Sequence, residues 1–145
     1  MRLLGVDFGE RRIGFAISDI SRTVARPLYT INVAEQLVDQ VRVVVEEVDQ
    51  LMTADDGLVG IVVGFPRALG GESNDQTRRV MAFSEALRTR ISLPVVMQDE
   101  RLTSHEAESL LAVQEKDWRR RKTRLDAVAA AVILQNYLDE KGEEN

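Results

Sequence analysis

RLLGVDFGERRIGFAIS, residues 2–18, holds two short apolar runs separated by a polar turn. Arg2–Phe8 is rich in Val and Leu, ends at Gly9 and reads as a buried strand. Glu10–Arg12 supplies the turn. From Arg12 to Ser18, Ile13, Phe15 and Ile17 alternate with Gly14, Ala16 and Ser18, the two-residue period of a strand with one packed face. The pair predicts an antiparallel hairpin. Next outward, Arg22–Ile31 predicts a third, weaker strand, and its Pro27 suits an edge or a bulge because proline cannot donate to a ladder.

Beyond this meander the period changes. From Ala34 to Met52, Leu37, Val41, Val44, Val45, Val48 and Leu51 recur at three- and four-residue steps with acids between them, which predicts an amphipathic helix. Leu58–Gly64 is a continuous apolar run, as expected of a parallel strand covered on both faces. Gly64–Asp75 is a polar, Gly-bearing loop. Gln76–Arg90 returns to helical spacing, and Leu93–Gln98 reads as a short strand started by Pro94. Thr103-Ser-His-Glu106 fits a capping box, so a helix is expected just after Arg101 and running to Val113. Gln114–Lys122 is expected as a charged connection bearing Trp118, which reads as a core residue, and a last helix over Arg124–Lys141 carries Ala127, Ala130, Ala131 and Leu134 on one side. The order predicts an α/β fold, a mixed five-stranded sheet of three antiparallel strands then parallel strands, flanked by helices.

At 145 residues the chain is expected to form one domain over 1–145. With no cysteine and a single histidine, His105, disulfides, thiol nucleophiles and multi-His metal clusters are excluded. Chemistry must run on oxygen ligands or hydroxyls. The apolar opening meets Asp7 too soon for a signal-peptide core and no run is long enough to span a bilayer, so a cytoplasmic protein with no membrane association is expected. The net charge of −5 is unevenly spread: residues 33–56 hold seven acids against Arg42 alone, and the basic residues elsewhere are mostly arginine, whose planar fork matches phosphate oxygens. A codon bias toward arginine explains that count equally well.

Three acids stand where a carboxylate is costly unless used. Asp7 interrupts an apolar strand near its C-terminal end, Glu100 follows the apolar strand at Val95–Met97, and Asp126 falls in the expected first turn of the alanine-lined helix. In open α/β sheets, ligands bind beyond the carboxyl ends of the strands. Converging carboxylates repel unless cations lie between them, and hard ions such as Mg²⁺ or Mn²⁺ prefer oxygen ligands. Two such ions can activate a water and stabilise the leaving oxygen of a phosphodiester. Taken singly, each acid also has an ordinary role: a turn acceptor at Asp7, a partner of Arg101 at Glu100, and a helix-dipole acid at Asp126.

Several motifs resemble one family. Gly5-Val-Asp-Phe-Gly9 with Arg12-Ile-Gly14 and Ser18-Asp19, Gly64-Phe-Pro66 with Gly71, Asp99-Glu-Arg-Leu-Thr-Ser104, and Leu125-Asp-Ala-Val-Ala-Ala130 with Ile133-Leu-Gln135 are similar to the YqgF family, also called RuvX. Its members are described as Holliday-junction-resolvase-like nucleases of RNase H-like fold and as pre-16S rRNA nucleases. The resemblance runs from end to end. It implies a divalent-metal-dependent endonuclease acting on structured RNA or branched DNA, with Asp7, Glu100 and Asp126 as catalytic, metal-holding residues and Mg²⁺ or Mn²⁺, two ions, as cofactor.

For the polyanion, Arg11 and Arg12 in the first turn, Arg67 on the long loop, Arg101 beside Glu100, Thr103 at a helix start, and Arg119, Arg120, Arg121 and Lys122 ahead of Asp126 are the candidate contacts. A monomer and a homodimer both fit. The alternative is a non-catalytic RNA- or ribosome-binding module that keeps the fold and the basic residues. Asp7-Phe-Gly9 also resembles the first phosphate loop of actin-like and sugar kinases, but those proteins pair two such domains and 145 residues supply one.

Overall fold

The structure is a computed structural model that describes residues 1–9, 11–54, 56–65, 75–99 and 118–144, with the backbone alone at 118–124 and 143–144. In chain order these form β1 (Arg2–Phe8), β2 (Arg12–Ser18), β3 (Ala25–Asn32), α1 (Leu37–Met52), β4 (Leu58–Phe65), α2 (Asp75–Arg90), β5 (Val95–Asp99) and α3 (Trp118–Glu144). The five strands make one sheet of order β3-β2-β1-β4-β5. β1–β2 and β2–β3 are antiparallel, and β1–β4 and β4–β5 are parallel. This is the mixed sheet the sequence predicts.

The alternation of β1 and β2 sorts side chains between two layers. Leu4, Val6 and Phe8, with Ile13, Phe15 and Ile17, face one side, where Val41, Val44 and Val48 of α1 and Val80, Phe83 and Leu87 of α2 cover them. Phe8 stacks on Phe83 with ring centroids 4.4 Å apart. Each fully buried Phe, Leu or Val here contributes about 1.5–3 kcal/mol, so this layer anchors the sheet. On the other side Ala16 and Val62 meet Ala130, Ile133, Leu134 and Leu138 of α3. Small sheet residues and small helix residues let that helix come close.

Boundaries differ where local polar chemistry intervenes. β3 starts at Ala25 and not at Arg22, because Asp19 Oδ1 accepts the backbone N–H groups of Thr23 (2.8 Å) and Val24 (3.1 Å) and holds them in a turn. Arg22 within that turn has φ 59°. Pro27 lies on the edge strand, beside a register shift between Phe15 and Ala16 of β2. The last helix corrects the expected connection at Gln114–Lys122: α3 is already helical at Trp118, since Arg and Lys are good helix formers and no Gly or Pro stands between Trp118 and Arg124. Asp126 is consequently two turns inside α3, not in its first turn. The helix expected after Arg101 lies outside the described residues. Among the described residues no helix is long and apolar enough to cross a membrane.

Candidate active site

The site begins with a residue that has no side chain. Gly14 of β2 is the antiparallel partner of Asp7 on β1, so both point to the α3 side of the sheet. A Cβ placed on Gly14 would lie 2.0 Å from the carbonyl oxygen of Asp126 and 2.7 Å from the N of Ala127. A Cβ on Gly5, two residues before Asp7, would fall 2.9 Å from Leu134 Cβ and 3.0 Å from the Ala130 oxygen. Both glycines therefore set how deeply α3 sinks onto the sheet. Gly14 seats the helix backbone at Asp126 directly over the residue paired with Asp7, which brings two acids 119 positions apart in sequence to one end of one face.

The Asp126 side chain is only 23% exposed, and its Oδ2 is buried with no aligned hydrogen-bond donor among the described residues. Arg12 Nε lies 3.0 Å from that oxygen, a charge contact without hydrogen-bond geometry. Burial raises the Asp126 pKa above the ordinary carboxylate value, and the Arg12 charge opposes that rise. Arg12 is two residues before Gly14 and so shares its face. Its neighbour Arg11 points away and pairs with Glu35 at 3.2 Å in solvent.

Of the three predicted acids, the structure brings Asp7 and Asp126 to one place. β5 runs parallel to β4 and β1, so its last residue, Asp99, leaves the sheet at the same end as Asp7. Glu100 lies outside the described residues, as do Arg67, Arg101 and Thr103. Arg119–Lys122 lie on α3, four to seven positions before Asp126, and their side chains and that of Trp118 are outside what is described. No three Asp, Glu or His residues form a metal-holding group among the described residues. Sequence reasoning missed the contact of Arg12 with Asp126 and the role of Gly14. The signal available for the second was the two-residue phase that puts Gly5 and Asp7 on one face, opposite an alanine-rich helix.

A mixed sheet in this order, flanked by helices, is an RNase H-like fold. T. thermophilus RuvC in complex with Holliday junction substrate shares the fold at a TM-score of 0.54 and 17% identity, over 98% of this chain and 96% of that one. The Fowlpox virus resolvase in complex with Holliday junction DNA gives 0.56 and 14%, over 97% and 99%. Within that class the match narrows. The family model described as RuvX: Holliday junction resolvase covers residues 1–140, and the chain belongs to that family. A Thermoanaerobacter pseudethanolicus protein named "Putative pre-16S rRNA nuclease" is 40% identical over 142 residues, 96% of each chain. One of the same name from Desulforudis audaxviator is 38% identical over 97% of this chain and 96% of its own.

Proposed function

We propose that the chain is a divalent-metal-dependent endonuclease that hydrolyses phosphodiester bonds in structured nucleic acid, with pre-16S rRNA and four-way DNA junctions as the substrate classes and the cytoplasm as its place of action. The observation that carries this reading is the seating of Asp126 over Gly14, beside Asp7, with a buried Oδ2 that accepts no hydrogen bond from the described residues. Arg12 Nε, 3.0 Å away, balances the charge of that oxygen without hydrogen-bonding it, so a lone pair stays open to a metal cation. Oxygen donors alone suit Mg²⁺ or Mn²⁺, so the residues fit such an ion. Asp7 and Asp126, with Glu100 as the third candidate, would hold it.

When bound, the ions would supply an activated water and charge stabilisation for the leaving oxygen. The chain's own share of the work is positional. The backbone of Asp7 is fixed by the β1 ladder and that of Asp126 by the seat of α3 against Gly14, so neither backbone needs to move when the substrate arrives. Arg12 and the arginines at the start of α3 are the groups that would take phosphate oxygens.

The test is cleavage of pre-16S rRNA and a four-way DNA junction, side by side, with Mg²⁺ and with Mn²⁺. Asp7→Asn is expected to lower metal-dependent cleavage by about 10³-fold or more and to leave nucleic-acid binding nearly intact. Undiminished cleavage by a purified Asp7→Asn protein removes Asp7 from the site. Binding without cleavage by the wild type, under every metal tried, favours the non-catalytic RNA-binding module.

A further inference from the structure

Arg12 is the described cation in contact with the site's buried acid, and the form of that contact is unusual. Its Nε is 3.0 Å from Asp126 Oδ2, yet Oδ2 has no aligned donor among the described residues. The pair therefore balances charge without using the oxygen's lone pair. An aligned or bidentate Arg–carboxylate pair would be much harder to displace. The two partners also differ in freedom. Asp126 is held by the helix backbone against Gly14, whereas the Arg12 side chain is 39% exposed and can withdraw into solvent fully charged.

We propose that Arg12 is an internal substitute for the metal ion: it compensates the Asp126 carboxylate in the metal-free protein and gives up that carboxylate when a divalent cation binds. This rests on the metal reading above. A divalent ion on Oδ2 repels a guanidinium whose Nε is 3.0 Å from that oxygen, so ion binding is expected to displace Arg12. Once displaced, Arg12 stands at the mouth of the site with its fork unused, which is the group a scissile phosphate would meet first. Arg12 is thus a positioning residue that trades Asp126 for metal, and its partner of exchange is a divalent ion.

The exchange is tested without turnover. Mn²⁺ is titrated into wild type, Arg12→Gln, Arg12→Lys and Asp126→Asn in the absence of nucleic acid, and the free-ion EPR signal is followed. Removing the competing charge is expected to tighten Mn²⁺ binding by Arg12→Gln about fivefold, the scale of a partly exposed ion pair, while Arg12→Lys stays within about twofold of wild type. Equal or weaker binding by Arg12→Gln overturns the exchange. A second readout uses wild-type protein: the Arg12 Nε–H resonance, identified by its absence in Arg12→Lys, should shift as Mg²⁺ is added. A resonance that does not move at saturating Mg²⁺ overturns the proposal even if Arg12→Gln does not fold. If wild type binds no Mn²⁺, the metal reading itself falls. If wild type binds it, Asp126→Asn does not, and Arg12→Gln binds no tighter, the exchange alone falls.

Discussion

Asp19 and Asp126 carry the same functional group at opposite ends of the sheet, and their surroundings treat it in opposite ways. Asp19 accepts two backbone N–H groups, from Thr23 and Val24, and two hydroxyls, from Ser21 (2.7 Å) and Thr23 (3.0 Å). Those bonds, the one from Ser21 foremost, hold its carboxyl far below the ordinary carboxylate range. Asp126 has a buried oxygen with no aligned donor among the described residues, and burial drives its pKa the other way against the opposing charge of Arg12. A carboxylate whose lone pairs are spent on its own turn is a structural group. One that is half-buried beside an unaligned arginine keeps a lone pair for a ligand, and such mismatches concentrate at functional sites.

Neutralising Asp126 puts the most strain on this contrast. Asp126→Asn is expected to reduce metal-dependent cleavage by about 10³-fold or more while the metal-free protein melts no lower than wild type near neutral pH. The sign follows from the raised pKa. The stability this group contributes is present below the ordinary carboxylate range and is lost as pH rises through its folded value, so at neutral pH its charge opposes folding. A clear drop in Tm would mean that the ion pair with Arg12 outweighs burial. Gly14→Ala comes next. Its Cβ would meet backbone at 2.0 Å, which no side-chain rotation relieves, so α3 must shift at Asp126. Overpacking of this kind costs about 1–3 kcal/mol, and a misplacement near 1 Å lowers cleavage by about 10²-fold. Full activity in a folded Gly14→Ala protein would show that the spacing of Asp7 and Asp126 is not what the site depends on.

The sheet was legible because its information is local. The alternation of Ile13, Phe15 and Ile17, the continuous run at Leu58–Gly64 and the three- and four-residue steps of α1 each announce an element within its own sequence window. Asp7 was legible for the same reason, as an acid inside an apolar strand. What joins Gly14 to Asp126 is a contact across 112 positions, and no local period records which helix lies on which glycine. The start of α3 was misread because five basic residues in six positions suggest a solvated connection, although none of them breaks a helix. That error placed Asp126 in a first turn, where the helix dipole would have explained it. Two turns inside the helix the dipole gives no such account, and the seat against Gly14 does.

The basic stretch bears on the contrast through its position. Arg119–Lys122 occupy the opening turns of the helix that carries Asp126, whereas the Asp19 turn lies at the far end of the sheet. Replacing Arg119, Arg120, Arg121 and Lys122 by alanine is expected to weaken nucleic-acid binding about tenfold near physiological salt, and to flatten the slope of log K against log salt by about 0.9 for every duplex phosphate that is no longer neutralised. A slope equal to that of wild type would place the polyanion away from the start of α3.

The smallest effect is expected at Asp19, and it is the one that separates the two acids most cleanly. Asp19→Asn keeps one carbonyl acceptor but loses the charge on which the bonds from Ser21, Thr23 and Val24 converge. Tm should fall slightly at neutral pH, with cleavage and Mn²⁺ affinity unchanged. Because the folded pKa is lowered, the contribution of this carboxylate is complete above the ordinary carboxylate range and drains away as pH falls through the folded value. The lead in Tm of wild type over Asp19→Asn should therefore shrink on acidification, whereas wild type should gain in Tm relative to Asp126→Asn over the same range. A gap that stays constant down to acid pH would mean that the turn is held by the shape of the side chain and not by its charge, and Asp19 would cease to be the saturated counterpart of Asp126.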